Sequence, residues 1–173
     1  MTDAQIDILK TSMDWAKAEM LSSVFFALFG VAFLVASYCF WQLAKTDTAK
    51  AYVIPFMVVG VLLVILGVGL VIANQIRFSN FPIAYAADAQ AFLNAEIARA
   101  DKTINGYNNA VFKFIPLIII ICAAVLMFVK SPIWQASMVA TIAMMAIILL
   151  VDTSANTRHQ AFKAKLVQAE QAY

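Results

Sequence analysis

The chain has 173 residues, of which 64% are apolar and 13% charged, and its formal net charge is +2. That balance excludes a large water-soluble core. The charge is too small and too dispersed to point to nucleic acid.

Residues 1–19 open the chain with a helical pattern. Ile6, Leu9, Met13, Ala16 and Met20 recur every three or four positions, with Asp3, Asp7, Lys10, Asp14 and Lys17 on the other side. Thr2 and Gln5 have the spacing of a capping box, so an amphipathic helix is expected here. The first apolar run, 20–43, follows directly. Acidic residues precede it instead of a purely basic segment, which favours a retained span over a cleaved signal, and Thr2 stands where myristoylation would need glycine.

Three further apolar runs occupy 52–73, 111–129 and 132–151. Each is close to the roughly 20 residues that a helix needs to cross a hydrocarbon core of about 30 Å. The expected fold is therefore an all-α integral membrane protein with four transmembrane helices. Between the second and third spans, residues 74–110 form a polar helical segment. Its stripe is Ala89, Phe92 or Leu93, Ile97, Ala100, Ile104 and Tyr107, set against Asp88, Glu96, Arg99 and Lys102. The stretch Ser79-Asn80-Phe81-Pro82 is the expected break before this stripe, because proline disfavours helix at the residue before it. Gly106 either kinks the junction with the third span or is tolerated in a continuous helix. Residues 152–173 are expected to end the chain as a further polar helix, with Arg158 and His159 on its solvated face.

Lys10, Lys17, Arg77, Arg99, Lys102, Arg158, Lys163 and Lys165 fall on one side of these spans, against Lys45, Lys50 and Lys130 on the other. This bias places both termini and the two amphipathic segments in the cytoplasm. Lys113, at the cytoplasmic end of the third span, agrees by snorkelling. Trp41, Tyr52 and Trp134 then form an outer aromatic belt, with Trp15 as an inner anchor. The cadence resembles that of small bacterial inner-membrane proteins, without a family whose residue roles carry over.

The amphipathic stripes suit either lipid or protein. Their mixed charge and many alanines favour packing against other helices, with Ile97 and Ile104 among the contacts. The order of amphipathic helix, span, turn and span occurs twice, but identity between the halves is too low to establish duplication.

Within the spans, small residues mark faces where helices can approach closely. Ser23 and Ala27 are one such pair, Gly69 and Ala73 another, and Gly60 with Gly67 lie a heptad apart. Ala136, Ala140 and Ala143 form a stripe on the last span. Ser137 and Thr141 beside it, with Asn74 and Gln75, would line a lumen if several subunits built a pore. Lys113 and Asp152, at the ends of adjacent spans, are expected to form an ion pair. Apart from Lys113 the spans hold no ionisable residue, which disfavours a proton- or ion-coupled carrier.

No catalytic, cofactor or metal pattern is present. His159 has no second imidazole or neighbouring cysteine to share a metal, and the five glycines form no phosphate loop. Cys39 and Cys122 read as small apolar fillers. The expected role is non-enzymatic: a self-assembling oligomer or an accessory subunit of a membrane complex, with the lipid bilayer as its surroundings. An oligomeric pore is the alternative, and an immunity or regulatory protein that blocks a membrane-inserting partner is the third.

Overall fold

The computed structural model describes residues 3–171, with side chains from residue 8 onward. The expected capping box of Thr2 and Gln5 lies outside the described residues. Four long rods make up the fold. The first is α1 (Asp3–Leu43), and a short turn of helix, α2 (Asp47–Lys50), leads into α3 (Val53–Ala87). The third rod joins α4 (Ala89–Gly106) to α5 (Ile115–Phe128) through a π-helical stretch, Tyr107–Phe114. The fourth is α6 (Pro132–Glu170). Each contains a segment long and apolar enough to cross a membrane. No strand occurs among the described residues.

Each rod has a polar and an apolar part, and the like parts lie together, giving the bundle two cores. At the polar end Ile8, Trp15, Ala16, Phe81, Tyr85, Phe92, Leu93, Ala100, Phe162 and Leu166 pack across α1, α3, α4 and α6, with Ile97 against them. Each large apolar side chain buried here from water is worth roughly 1.5–3 kcal/mol. The stripes on the polar segments thus meet one another within a single chain. At the apolar end a smaller core joins Phe26, Val59, Leu63, Ala140 and Val151 from α1, α3 and α6.

The seam between α1 and α3 depends on absent side chains. A Cβ on Gly67 would stand 2.5 Å from the backbone nitrogen of Ala27 and 2.9 Å from the Ser23 carbonyl oxygen. Further along, a Cβ on Gly30 would stand 2.8 Å from the Gly60 carbonyl oxygen. Both approaches are closer than any side chain permits, so glycine sets the separation. Ser37 Oγ closes the far end by donating to the Val53 carbonyl at 2.7 Å. Ser23, Ala27, Gly60 and Gly67 all belong to this seam, together with Gly30, which the spacing within one helix did not reveal. Gly69 differs: nothing lies within 4 Å of its would-be Cβ, and Ala73 is exposed. Ala136 and Ala140 are buried on α6, while Ala143 is half-buried.

The break expected at Ser79–Pro82 is not where the chain turns. Helix α3 runs through Pro82 to Ala87, and the chain turns at Asp88, whose backbone is extended (φ −160°, ψ 104°). Proline removes one helical N–H, but Phe81 and Tyr85 on either side of it are buried in the polar core and hold the helix on course. Asp88 then starts α4 as its N-cap, with its carboxylate accepting from Ala91 N at 2.9 Å. At Gly106 the rod continues, with helical dihedrals at both ends of the π-helical stretch.

Candidate functional site

Between the two cores lies a cavity of about 200 Å³. Its walls follow from helical periodicity. On α1, Trp15, Glu19, Ser22, Ser23 and Phe26 fall on one face; Leu70, Asn74 and Arg77 do so on α3, and Val151, Asp152, Ala155 and His159 on α6. Thr103 and Tyr107, four residues apart, complete it from the third rod, where Tyr107 begins the π-helical stretch. Stretches of this kind often occur at functional positions.

The charges around the cavity are mostly paired. Glu19 Oε1 accepts from Arg158 Nε at 3.0 Å. Glu96 binds Arg99 through both carboxylate oxygens, and the Arg99 guanidinium lies 4.3 Å above the Trp15 ring centre. Trp15 also stacks on Phe162 at 5.0 Å and leans on His159 at 5.1 Å. Arg77 donates to Asn74 Oδ1 at 3.0 Å. Lys163 and Asp101 pair nearby, between α6 and α4.

Burial pushes the Glu19 carboxyl up, and the Arg158 guanidinium opposes it. Burial also lowers His159 to about 4, assisted by Arg99, Arg158 and Arg77. At neutral pH the imidazole is uncharged, with one donor and one acceptor nitrogen. His159 Nδ1 is buried without a hydrogen-bond partner, as are Trp15 Nε1, Asn156 Oδ1, Arg158 Nη2 and Ser12 Oγ. Buried polar atoms in this state are uncommon, and two of the five belong to Trp15 and His159 in the cavity wall. Among the described residues, no three His, Cys, Asp or Glu side chains converge on a metal-sized site.

Of the residues singled out from sequence, the cavity gathers Ser23, Asn74 and Asp152. Gln75 is exposed. Ser137 and Thr141 lie on α6 outside the lining, and Ser137 Oγ donates to its own helix at Ile133. The expected pair of Lys113 with Asp152 is not formed: Lys113 is exposed and donates to Asn109 Oδ1 at 3.0 Å, whereas Asp152 faces the cavity. The π-helical stretch containing Lys113 has a wider turn than an α-helix, which displaces its faces from the regular register. Ile97 is half-buried against the polar core, and Ile104 is half-buried on the same helix.

Arg158 and His159 were expected on a solvated face, yet His159 is 4% exposed and Arg158 binds Glu19. Trp15, expected as an interfacial anchor, is a core residue at 6%. Sequence reasoning missed Glu19, Arg77, Glu96 and Arg99. A usable signal was their placement, since Glu19 and Arg77 each fall within about a turn of a span end. Comparison with protein-family models, with curated proteins and with solved structures finds no match to this chain.

Proposed function

We propose that this is a multi-pass protein of the bacterial inner membrane, with both termini and the polar core in the cytoplasm, that acts without catalysis as a self-assembling oligomer or as an accessory subunit. The observation that carries the reading is the state of α5. Its one buried side chain is Cys122, while Leu117, Ile120, Ile121, Met127 and Phe128 are exposed. A lone chain therefore presents this helix to its surroundings along most of its length. The polar core is closed within one chain, so assembly would proceed through the apolar half. In lipid, close packing of such faces, and not escape from water, supplies the drive to associate. The Lys and Arg bias supports the orientation.

The pore reading gains no support from Ser137, whose hydroxyl is already satisfied by the Ile133 carbonyl. Mass measurement in mild detergent, followed by recording of the same sample in a planar bilayer, tests the proposal. The expected result is an oligomer, or a defined complex recovered by crosslinking, that conducts no current. A chain that stays monomeric and crosslinks to nothing would refute it. Discrete current steps would replace it with the pore, and a toxin-like crosslinked partner with the blocking role.

A further inference from the structure

The cavity between the two cores has an excess of hydrogen-bond acceptors. Glu19 Oε1 is taken by Arg158, but Oε2 is 3.8 Å from His159 Nε2, too long for a hydrogen bond. His159 is 4% exposed and lines the cavity, with Nε2 on the side of Glu19. Asp152 adds a carboxylate, and among the described residues no cation pairs with it. Glu19 and Glu96 have their arginines, so Asp152 is the negative charge that this wall leaves unanswered. Holding a carboxylate in a low-dielectric site without a partner is costly, and a cation in the cavity would remove that cost.

The size and the remaining lining narrow the class of cation. About 200 Å³ is several times the roughly 30 Å³ share of one water molecule. Phe26, Leu70 and Val151 provide an apolar floor next to the acceptors. A group with several N–H donors and a short alkyl body matches both features. We propose that the cavity binds a protonated primary amine, held by the Asp152 carboxylate with Glu19 Oε2 beside it.

Two sources carry this chemistry: a free amine from solution, or the ethanolamine headgroup of a phospholipid. Arg77 is exposed at the cavity wall and spends one nitrogen on Asn74, so it keeps donors for a phosphate alongside. The inference does not depend on copy number and stands apart from the assembly reading.

The test uses the full chain with Trp41→Phe and Trp134→Phe, both exposed positions, so that emission comes from Trp15 in the cavity wall. In phosphatidylcholine nanodiscs, ethanolamine should shift this emission and raise the unfolding temperature, whereas choline, which has no N–H to donate, should do neither. Asp152→Asn should weaken the response to ethanolamine by roughly tenfold or more, the usual effect of losing a charged hydrogen-bond partner. Replacing part of the phosphatidylcholine with phosphatidylethanolamine separates the sources. A shift without added amine assigns the headgroup, and a shift with soluble ethanolamine alone assigns the free amine. Equal responses to ethanolamine and choline, silence in both arms, or an undiminished response in Asp152→Asn would overturn the proposal. The ethanolamine and choline contrast needs no variant at position 152, so the test survives even if that variant fails to fold.

Discussion

Gly67 and Gly69 lie on the same turn of α3 and meet opposite surroundings. Gly67→Ala drives a methyl group into the backbone of α1, and overpacking of this kind costs about 1–3 kcal/mol. Gly69→Ala adds its methyl in open space and should be neutral or slightly stabilising. Thermal unfolding of the two variants in the same detergent checks the pair; equal losses would mean that α1 and α3 do not touch at Gly67. His159 couples stability to acid through its depressed value. Its folded value is about 4, below the ordinary 6.5, so unfolding takes up a proton between those values and stability falls as pH drops through that window. The slope is at most about 1.4 kcal/mol per pH unit for one proton. Glu19 and Asp152, both pushed upward, act with the opposite sign, so the comparison must be with His159→Gln, which keeps both. The stability advantage of the wild type over this variant should shrink from pH 7 to pH 4, and parallel profiles would refute the buried neutral imidazole. Little of this residue-level picture is legible in sequence. Arg158 and His159 are the types found on any solvated face, and their burial depends on Trp15 and Glu19 standing opposite, which spacing along α6 does not encode.

At the scale of elements, the turn between α3 and α4 shows how a strong local signal can lose to packing. Pro82 is the more obvious breaker, yet Asp88 ends the helix and starts the next. Asp88→Ala should cost about 1 kcal/mol through loss of the N-cap and speed amide exchange in the first turn of α4. Pro82→Ala should instead stabilise, by up to roughly 3 kcal/mol, because it restores a helical N–H within a continuous helix. Should Pro82→Ala prove neutral while Asp88→Ala leaves exchange unchanged, the assignment of the turn would be wrong. The long apolar segments were readable because length and composition alone determine them. The continuity of α4 with α5 was left open by Gly106, since one glycine suits both a kink and a straight helix. The π-helical stretch has no signature of its own in this sequence.

For the whole molecule, the sequence defines four apolar segments and their polar ends, and the bundle follows from matching like with like. Which rods touch was less legible. Gly30 has no small residue four positions away on its own helix, so its meeting with Gly60 emerges only when α1 and α3 are laid together. Orientation is testable with single cysteines in a Cys39→Ser background, since Cys39 is exposed and would react itself. A membrane-impermeant reagent added outside intact cells should label Thr48→Cys and Lys130→Cys, both exposed at the end of the bundle away from the polar core. It should spare Lys17→Cys and Ala161→Cys, both exposed at the polar end. The reverse pattern would place the polar core outside and overturn the cytoplasmic assignment.

Three of the four rods pass from one core to the other as uninterrupted α-helix, and this continuity has a mechanical side. At about 1.5 Å per residue, the 39 residues of α6 make a lever roughly 58 Å long, and a tilt of about 10° around its middle moves each tip by roughly 5 Å. Helices in a bilayer tilt to match its thickness. A thinner or thicker lipid would thus be converted, without any hinge in α6, into a displacement of about 2 Å at His159 and almost none at Asp152 beside the pivot, while the wider turn at Tyr107–Phe114 gives the third rod a compliant joint beside the same cavity.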